Sequence, residues 1–339
     1  MVTVEVGVPQ GSILGPILYC LMVNDLPELP HNHLPHDSEP SFWNNYCSNC
    51  GGISCFADDS SFSLSGKDPA VLKEQIKSKY SEFSDYMAAN RLVLNSDKTH
   101  LLVMASKSQH RSHRNYGLEL DTGNEIILPE NHQRLLGCEI NCDFTWKEHL
   151  QDNEFSMQRQ LTSRINALKK ISFSASFKTR KMVANGVVIS RIIYVIQLWG
   201  GTSDFLIKML QVLQNKAARF VTQNDIFTSQ KQLLLQCGWM SVRQLVVYHD
   251  MVQIFKNMTE RKPVSLHKSL CKSFTHRTRA ASTGGLVDNY KTTREITKES
   301  FLVRSTKTWN MLPPATRQAE NMQQFKFKLK AWIRLHVPQ

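Results

Sequence analysis

The chain lacks any apolar run long enough to cross a bilayer. Its most apolar stretch, Val187 to Trp199, is interrupted by Arg191 and falls short of the ~20 residues a membrane-spanning helix needs. The N-terminus also lacks the basic-then-apolar build of a secretory leader. Cysteine is sparse, eight in 339 residues, which does not suggest a disulfide scaffold. These shortages argue against membrane-embedded, secreted and disulfide-stapled classes. The expectation is an intracellular protein of a reducing compartment, nucleus or cytoplasm, with no membrane partner.

Acidic residues run short in the rear of the chain. Residues 1–100 hold 6 Lys and Arg against 12 Asp and Glu, whereas the other 239 residues hold 35 against 17. The net charge of +12 is therefore unevenly placed. A basic rear suits a nucleic-acid grip, because Lys and Arg gain affinity by releasing phosphate counterions; a solvated basic helical surface is the plainer alternative. With 41% apolar residues and this length, the chain can bury a sizeable core spread over two or three domains.

The acidic front carries the sharpest pattern, Phe56-Ala57-Asp58-Asp59. Ile53–Phe56 and Ser61–Leu64 are expected to flank Ala57–Ser60 as a short hairpin, with Asp58 and Asp59 at its tip. Two adjacent carboxylates are stable there if solvated or if a divalent cation neutralises them. Mg²⁺ is commonly held by one or two protein carboxylates plus substrate phosphates, and two such ions can clamp the attacking and leaving oxygens of a phosphoryl transfer. Upstream stands Gly7-Val8-Pro9-Gln10-Gly11-Ser12-Ile13-Leu14-Gly15-Pro16. Its Gln10, Gly11 and Ser12 can start a helix running to about Asn24, and the small residues leave room for another chain's backbone to approach closely. The apolar positions Ile13, Ile17, Cys20, Leu21 and Val23 predict that this helix is buried behind the active face.

These two elements resemble the palm of a reverse transcriptase, in particular that of non-LTR, LINE-like retrotransposons. The resemblance continues, in order, through Leu92-Val93-Leu94-Asn95-Ser96-Asp97-Lys98-Thr99-His100, through Arg134-Leu135-Leu136-Gly137-Cys138-Glu139-Ile140, and through Phe144-Thr145-Trp146-Lys147-Glu148-His149. It is strong over the first 150 residues and less distinctive beyond. It implies an RNA-directed DNA polymerase that adds deoxynucleotides to a primer 3′-OH by two-metal nucleotidyl transfer on an RNA template. Asp58 would bind Mg²⁺ directly with Asp59 in support, although Asp59 also reads as a simple turn residue. Gln10, Gly11 and Ser12 would contact template or nucleotide, and Leu136-Gly137 would position the primer. Lys98 would assist the departing pyrophosphate, or else be a solvated turn lysine. In the family an earlier strand supplies a first metal-binding aspartate, and here only six residues precede Gly7. The expectation is therefore a C-terminal portion of a polymerase, inactive by itself. A catalytically dead nucleic-acid-binding remnant of a retroelement is the alternative.

The resemblance implies an α+β fold: an antiparallel palm sheet with covering helices over 1–150, a helical thumb over 151–222, and a basic, mainly helical region over 223–339. Asp68-Pro69 starts a helix whose Leu72, Ile76, Phe83 and Met87 should cover the sheet. Arg91–Leu94 and Thr99–Met104 are expected to pair as strands. Between Pro27 and Cys55 lie His33-x-x-His36 and Cys47-x-x-Cys50, two pairs of soft ligands that suit a tetrahedral structural zinc, or else a polar loop. In the rear, Met182–Trp199 is expected to be one buried helix. Arg164, Lys169 and Lys170, then Lys208, Lys216 and Arg219, face away from apolar stripes and would grip phosphates of an RNA–DNA duplex.

Overall fold

Helices dominate and strands occur only in short groups, an α+β composition, in the computed structural model. It describes residues 13–26, 46–47, 51–105, 117–123, 125–170, 175–271, 285–286 and 298–338. The chain divides into two compact units, Met1–Asn131 and His132–Gln339.

In the first unit, helix α1 (Gly15–Met22) precedes an antiparallel three-stranded sheet of β1 (Tyr46–Cys47), β2 (Gly51–Phe56) and β3 (Asp59–Ser63). Helix α2 (Pro69–Ala89) begins as its sequence dictates. The Asp68 carboxylate accepts from Ala70 N at 2.9 Å, and Pro69 takes the first turn, where its missing N–H costs nothing. Phe83 and Met87 are buried, and Phe83 meets Phe62 of β3 edge-on at 4.7 Å, so α2 does cover the sheet. Lys79, the one cation on that face, pairs with Glu82 at 2.7 Å.

Two expectations for this unit fail. Helix α1 is largely exposed: Ile13, Leu14, Ile17, Leu18 and Leu21 face solvent, while Tyr19 packs against the small core of Phe83 and Met87 that Val23 and Leu26, past the helix end, complete. The apolar pattern does form a helix, but no element among the described residues covers most of it. Nor do Arg91–Leu94 and Thr99–Met104 pair. Arg91 has a left-handed φ of 56° and Leu92 N donates back to Met87 O, a helix-terminating turn. Leu92 and Leu94 then pack on the core while Val93 points to solvent. An extended segment with one face inward has the same alternation as a strand without needing a strand partner. Ser96–Lys98 form a single 3₁₀ turn, and β4 (Leu101–Leu102) pairs in parallel with β7 (Pro129–Glu130). Between them, β5 (Leu120–Asp121) and β6 (Ile126–Ile127) form an antiparallel pair.

The second unit opens with the antiparallel hairpin β8 (His132–Leu135) and β9 (Cys138–Asn141). A π-helical turn, Glu148–Asp152, leads to α3 (Met157–Lys170), which buries Met157, Leu161, Ile165 and Leu168. The single helix expected over Met182–Trp199 is instead broken into pieces. They are α4 (Phe177–Ala184), a π-helical turn Asn185–Ile189, α5 (Ser190–Ile193) and α6 (Ile196–Trp199). The break sits at Val195, a β-branched residue held at φ 46°, and Trp199 Nε1 donates across it to Tyr194 O at 3.0 Å. Burial of Ile192, Ile196 and Trp199 in one core decides the break against helix periodicity.

Helix α7 (Asp204–Thr222) packs on α3 and on α8 (Gln230–Cys237). Helix α9 (Val242–Glu260), started by a Ser241–Gln244 capping box, lies against α10 (Val264–Cys271), α11 (Phe301–Met311) and, beyond the short helix α12 (Pro314–Arg317), α13 (Met322–His336). Phe255 stacks on Phe325 at 4.2 Å. Arg304 grips the buried Asp250 carboxylate with two bonds, 2.9 and 3.1 Å.

Candidate functional site

The β2–β3 hairpin closes on two residues. Phe56 pairs with Asp59, leaving Ala57 and Asp58 as the turn. The acidic pair is therefore split: Asp58 lies in the turn and Asp59 opens β3, both exposed. Ala57 has a φ of 53° and is the only turn residue with left-handed backbone, the position glycine normally takes in a II′ hairpin turn. A non-glycine residue there costs of order 1–3 kcal/mol and persists only where its surroundings impose it, a circumstance that clusters at functional sites. Phe56 and Ala57, which a strand packed on the palm would bury, are both exposed, as is Cys55.

Helix α1 stands beside this turn. Burial first, and then the charge of Asp58, push the Tyr19 phenol above its ordinary value. Tyr86 of α2 donates to Asp25 and also contacts Met22 O at 3.3 Å, tying α2 to the end of α1. Burial and that hydrogen bond raise its phenol as well. The sequence reading missed Tyr19 and Tyr86. A tyrosine inside an otherwise aliphatic helix was the signal that could have found the first.

A divalent cation fits Asp58 and Asp59 by donor chemistry. Both are exposed, and among the described residues neither has an ion-pair partner. A hard cation takes such oxygens together with phosphate and water. Among the described residues no group of three or more His, Cys, Asp or Glu stands together to enclose a metal. Lys98 ends the exposed 3₁₀ turn, held by Thr99, whose hydroxyl donates to Asn95 O at 2.9 Å. No hydrogen bond or ion pair among the described residues joins Lys98 to Asp58 or Asp59. Gln10, Gly11, Ser12, His33, His36 and Cys50 lie outside the described residues, and of Cys47 only the backbone, in β1, is described.

In the second unit the β8–β9 hairpin also closes on two residues. Leu136 and Gly137 have φ of 48° and 76°, both left-handed as a I′ turn requires. The Tyr194 hydroxyl donates to Leu136 O. Behind the turn, the Nδ2 of Asn141 reaches Asp143, Thr145 and Glu148 at 2.6–2.7 Å. His149 is 1% exposed and its Nδ1 accepts from Glu139 N at 3.3 Å.

The basic residues separate by role. Lys169, Lys170, Lys208 and Lys216 are exposed. Arg219 holds the carbonyls of Asp225, Ile226 and Thr228 and so braces the fold, whereas Arg164 commits one donor, to Val187 O at 2.9 Å. No helix among the described residues is long and apolar enough to cross a membrane.

A family model for reverse transcriptase (RNA-dependent DNA polymerase) matches residues 2–140. Two curated proteins are similar over longer stretches. The "Probable RNA-directed DNA polymerase from transposon X-element" of Drosophila melanogaster is 25% identical over 260 residues, 75% of this chain and 26% of that protein. The "RNA-directed DNA polymerase from mobile element jockey" of Drosophila funebris is 21% identical over 220 residues, 65% of this chain and 22% of that protein. The chain thus spans about a quarter of the length of the curated relatives it matches. No solved structure matches it. The carboxylate-tipped hairpin lies inside the segment, residues 2–140, that matches the reverse transcriptase family, and the chain is related, at low identity, to the polymerases of non-LTR retrotransposons.

Proposed function

We propose that this chain supplies part of the active site and nucleic-acid grip of an RNA-directed DNA polymerase. The observation that carries this is Asp58, exposed on a left-handed turn beside α1 within residues 2–140. Asp58, with Asp59, would hold Mg²⁺, whose role when bound is to neutralise charge on the transferring phosphoryl group. Tyr19 lies within the field of Asp58, and the exposed carboxylates leave an open side for a deoxynucleotide's phosphates. Lys98 would stabilise the departing pyrophosphate, and Gln10, Gly11 and Ser12 would line the template or nucleotide. Residues 1–150 read as palm, 151–222 as thumb and 223–339 as a basic C-terminal region, with Leu136-Gly137 against the primer and Lys169, Lys170, Lys208 and Lys216 along an RNA–DNA duplex. A structural zinc at His33, His36, Cys47 and Cys50 belongs to the same proposal.

The test replaces Mg²⁺ with Fe²⁺ and maps backbone scission by locally generated radicals. Cleavage close to residue 58 that disappears in Asp58→Asn is the expected result; cleavage indifferent to that change overturns the metal assignment. Stoichiometric zinc, removed by chelator and absent from a Cys47→Ser, Cys50→Ser variant, is expected if the soft-ligand pairs act together.

A further inference from the structure

Arg191 interrupts the most apolar stretch of the chain and sits in α5, between the buried Val188 and Ile192. Its guanidinium lies over the Tyr194 ring at 5.6 Å, and Tyr194 in turn holds Leu136 O. Its Nε–H is buried without a hydrogen-bond partner. A second donor nearby shares that condition. Because His149 Nδ1 accepts from Glu139 N, its neutral ring carries the proton on Nε2, and that buried nitrogen also lacks a partner. Two buried donors and no acceptor is a costly arrangement unless something else supplies the acceptor.

Charge around them has the same sense. Arg134 of β8 and Arg164 of α3 are close enough to Arg191 that, after burial, their charges are what press its ionisation down. Arg191 and Arg134 likewise add to the burial that holds His149 neutral. Arg164 spends one donor on Val187 O, and Arg134 lies over the Phe155 ring at 5.5 Å. Among the described residues the carboxylate paired with the cluster is Glu139, 4.0 Å from Arg134 and 3.7 Å from His132. Three guanidiniums against one carboxylate leave an uncompensated positive centre, assembled from three separate elements. At its edge the side chains of Arg134 and Tyr194 are half-exposed. The planar forks of arginine match tetrahedral phosphate oxygens, and a phosphate would also accept from the two orphaned donors.

We propose that Arg134, Arg164 and Arg191, backed by the His149 Nε2–H, form a phosphate-binding site beside the Leu136-Gly137 turn, and that it takes one phosphodiester of a nucleic-acid strand. The site itself rests on the second unit alone; the choice of a nucleic-acid phosphate rests on the polymerase reading.

Two measurements on the whole chain test it. Inorganic phosphate should raise the thermal midpoint of the wild type relative to chloride at equal ionic strength, and should not raise that of Arg191→Gln. Arg134→Gln, at a half-exposed position, guards against a variant that merely misfolds, and Arg191→Lys should restore only part of the shift because it lacks the fork. The affinity for a short RNA–DNA duplex is then followed against salt. Loss of one arginine should lower the slope of log K against log salt by about one, whereas Lys307→Gln should leave it unchanged. A phosphate shift without a change in slope keeps the site and makes free phosphate its ligand. Absence of a phosphate shift in the wild type overturns the site. Neither readout involves primer extension, so failure here leaves the polymerase reading standing, and failure of that reading leaves the phosphate test valid.

Discussion

The chain builds two two-residue hairpins, Ala57-Asp58 and Leu136-Gly137, and holds them by different means. Both use left-handed backbone at a residue other than glycine, Ala57 in one and Leu136 in the other. The second is braced from behind by Tyr194, by the Asn141 network and by a core that includes Leu150, Ile192 and Trp199. The first stands on a core of four buried residues, Val23, Leu26, Phe83 and Met87, and ends in two exposed carboxylates. A turn that must present charge to a solvated ligand has to sit where burial cannot fix it, and its geometry rests on a few polar ties instead. A turn that only supports something can be packed down.

The comparison breaks most visibly at its acidic end. Asp58→Asn in a polymerase carrying this segment should slow primer extension roughly a thousandfold, the equivalent of several kcal/mol of lost charge stabilisation, while leaving the thermal midpoint nearly unchanged. An equally large loss from Leu136→Ala would erase the distinction drawn between the two turns.

The second unit should respond in stability instead. Arg304→Met strands the buried Asp250 carboxylate and should cost about 3–5 kcal/mol in denaturant unfolding.

Its pH dependence has two opposed contributions from His149 and Asp250, with His249, also lowered by burial and by Lys326, acting in the sense of His149. Burial, helped by Arg191 and Arg134, lowers His149 to about 4. Between about pH 4 and 6.5 the unfolded chain binds that proton more readily, so this contribution is fully present above 6.5 and is lost as pH falls. Burial raises Asp250 to about 6 against the pull of Arg304. There the folded chain binds the proton more readily, and stability falls as pH rises from about 4 to 6. The two partly cancel in the wild type. His149→Gln should unmask the Asp250 trend, differing from wild type by on the order of 2 kcal/mol between pH 7 and 4.5. Parallel curves for the two proteins would refute the assignment.

Smaller effects separate the turns themselves. Tyr194→Phe removes the bond to Leu136 O and should cost about 1 kcal/mol. Ala57→Gly should change stability by a few tenths of a kcal/mol at most, since relief of the left-handed strain offsets the added freedom of the unfolded chain. It should nonetheless loosen the turn, which amide exchange at Asp58 and Asp59 would report.

Much of this was legible beforehand because it depends on neighbours along the chain. The Asp68-Pro69 start of α2, the stripe of α3 and a hairpin carrying Asp58 are local patterns, and the structure follows each, although the loop expected over Ala57–Ser60 closes on Ala57 and Asp58 alone. The exposed face of α1 and the fracture of Met182–Trp199 were not legible. Apolar periodicity states that a face wants cover and cannot state whether cover arrives. A helix likewise breaks at Val195 because of what Trp199 and Ile192 pack against, and sequence spacing carries no record of that.

The acidic pair shows the same division. The order of its motifs along the chain and the basic rear were written in the residues and sufficed to point to the family resemblance, since ligand type and spacing are properties of the string. Tertiary structure alone decided that Asp58 occupies the turn while Asp59 starts a strand, and that Tyr19 stands beside Asp58. It alone also brought Arg134, Arg164 and Arg191 together around two donors without acceptors. The reason is physical: electrostatic and hydrogen-bonding consequences depend on distances between groups far apart in the chain, and only the folded packing sets those distances.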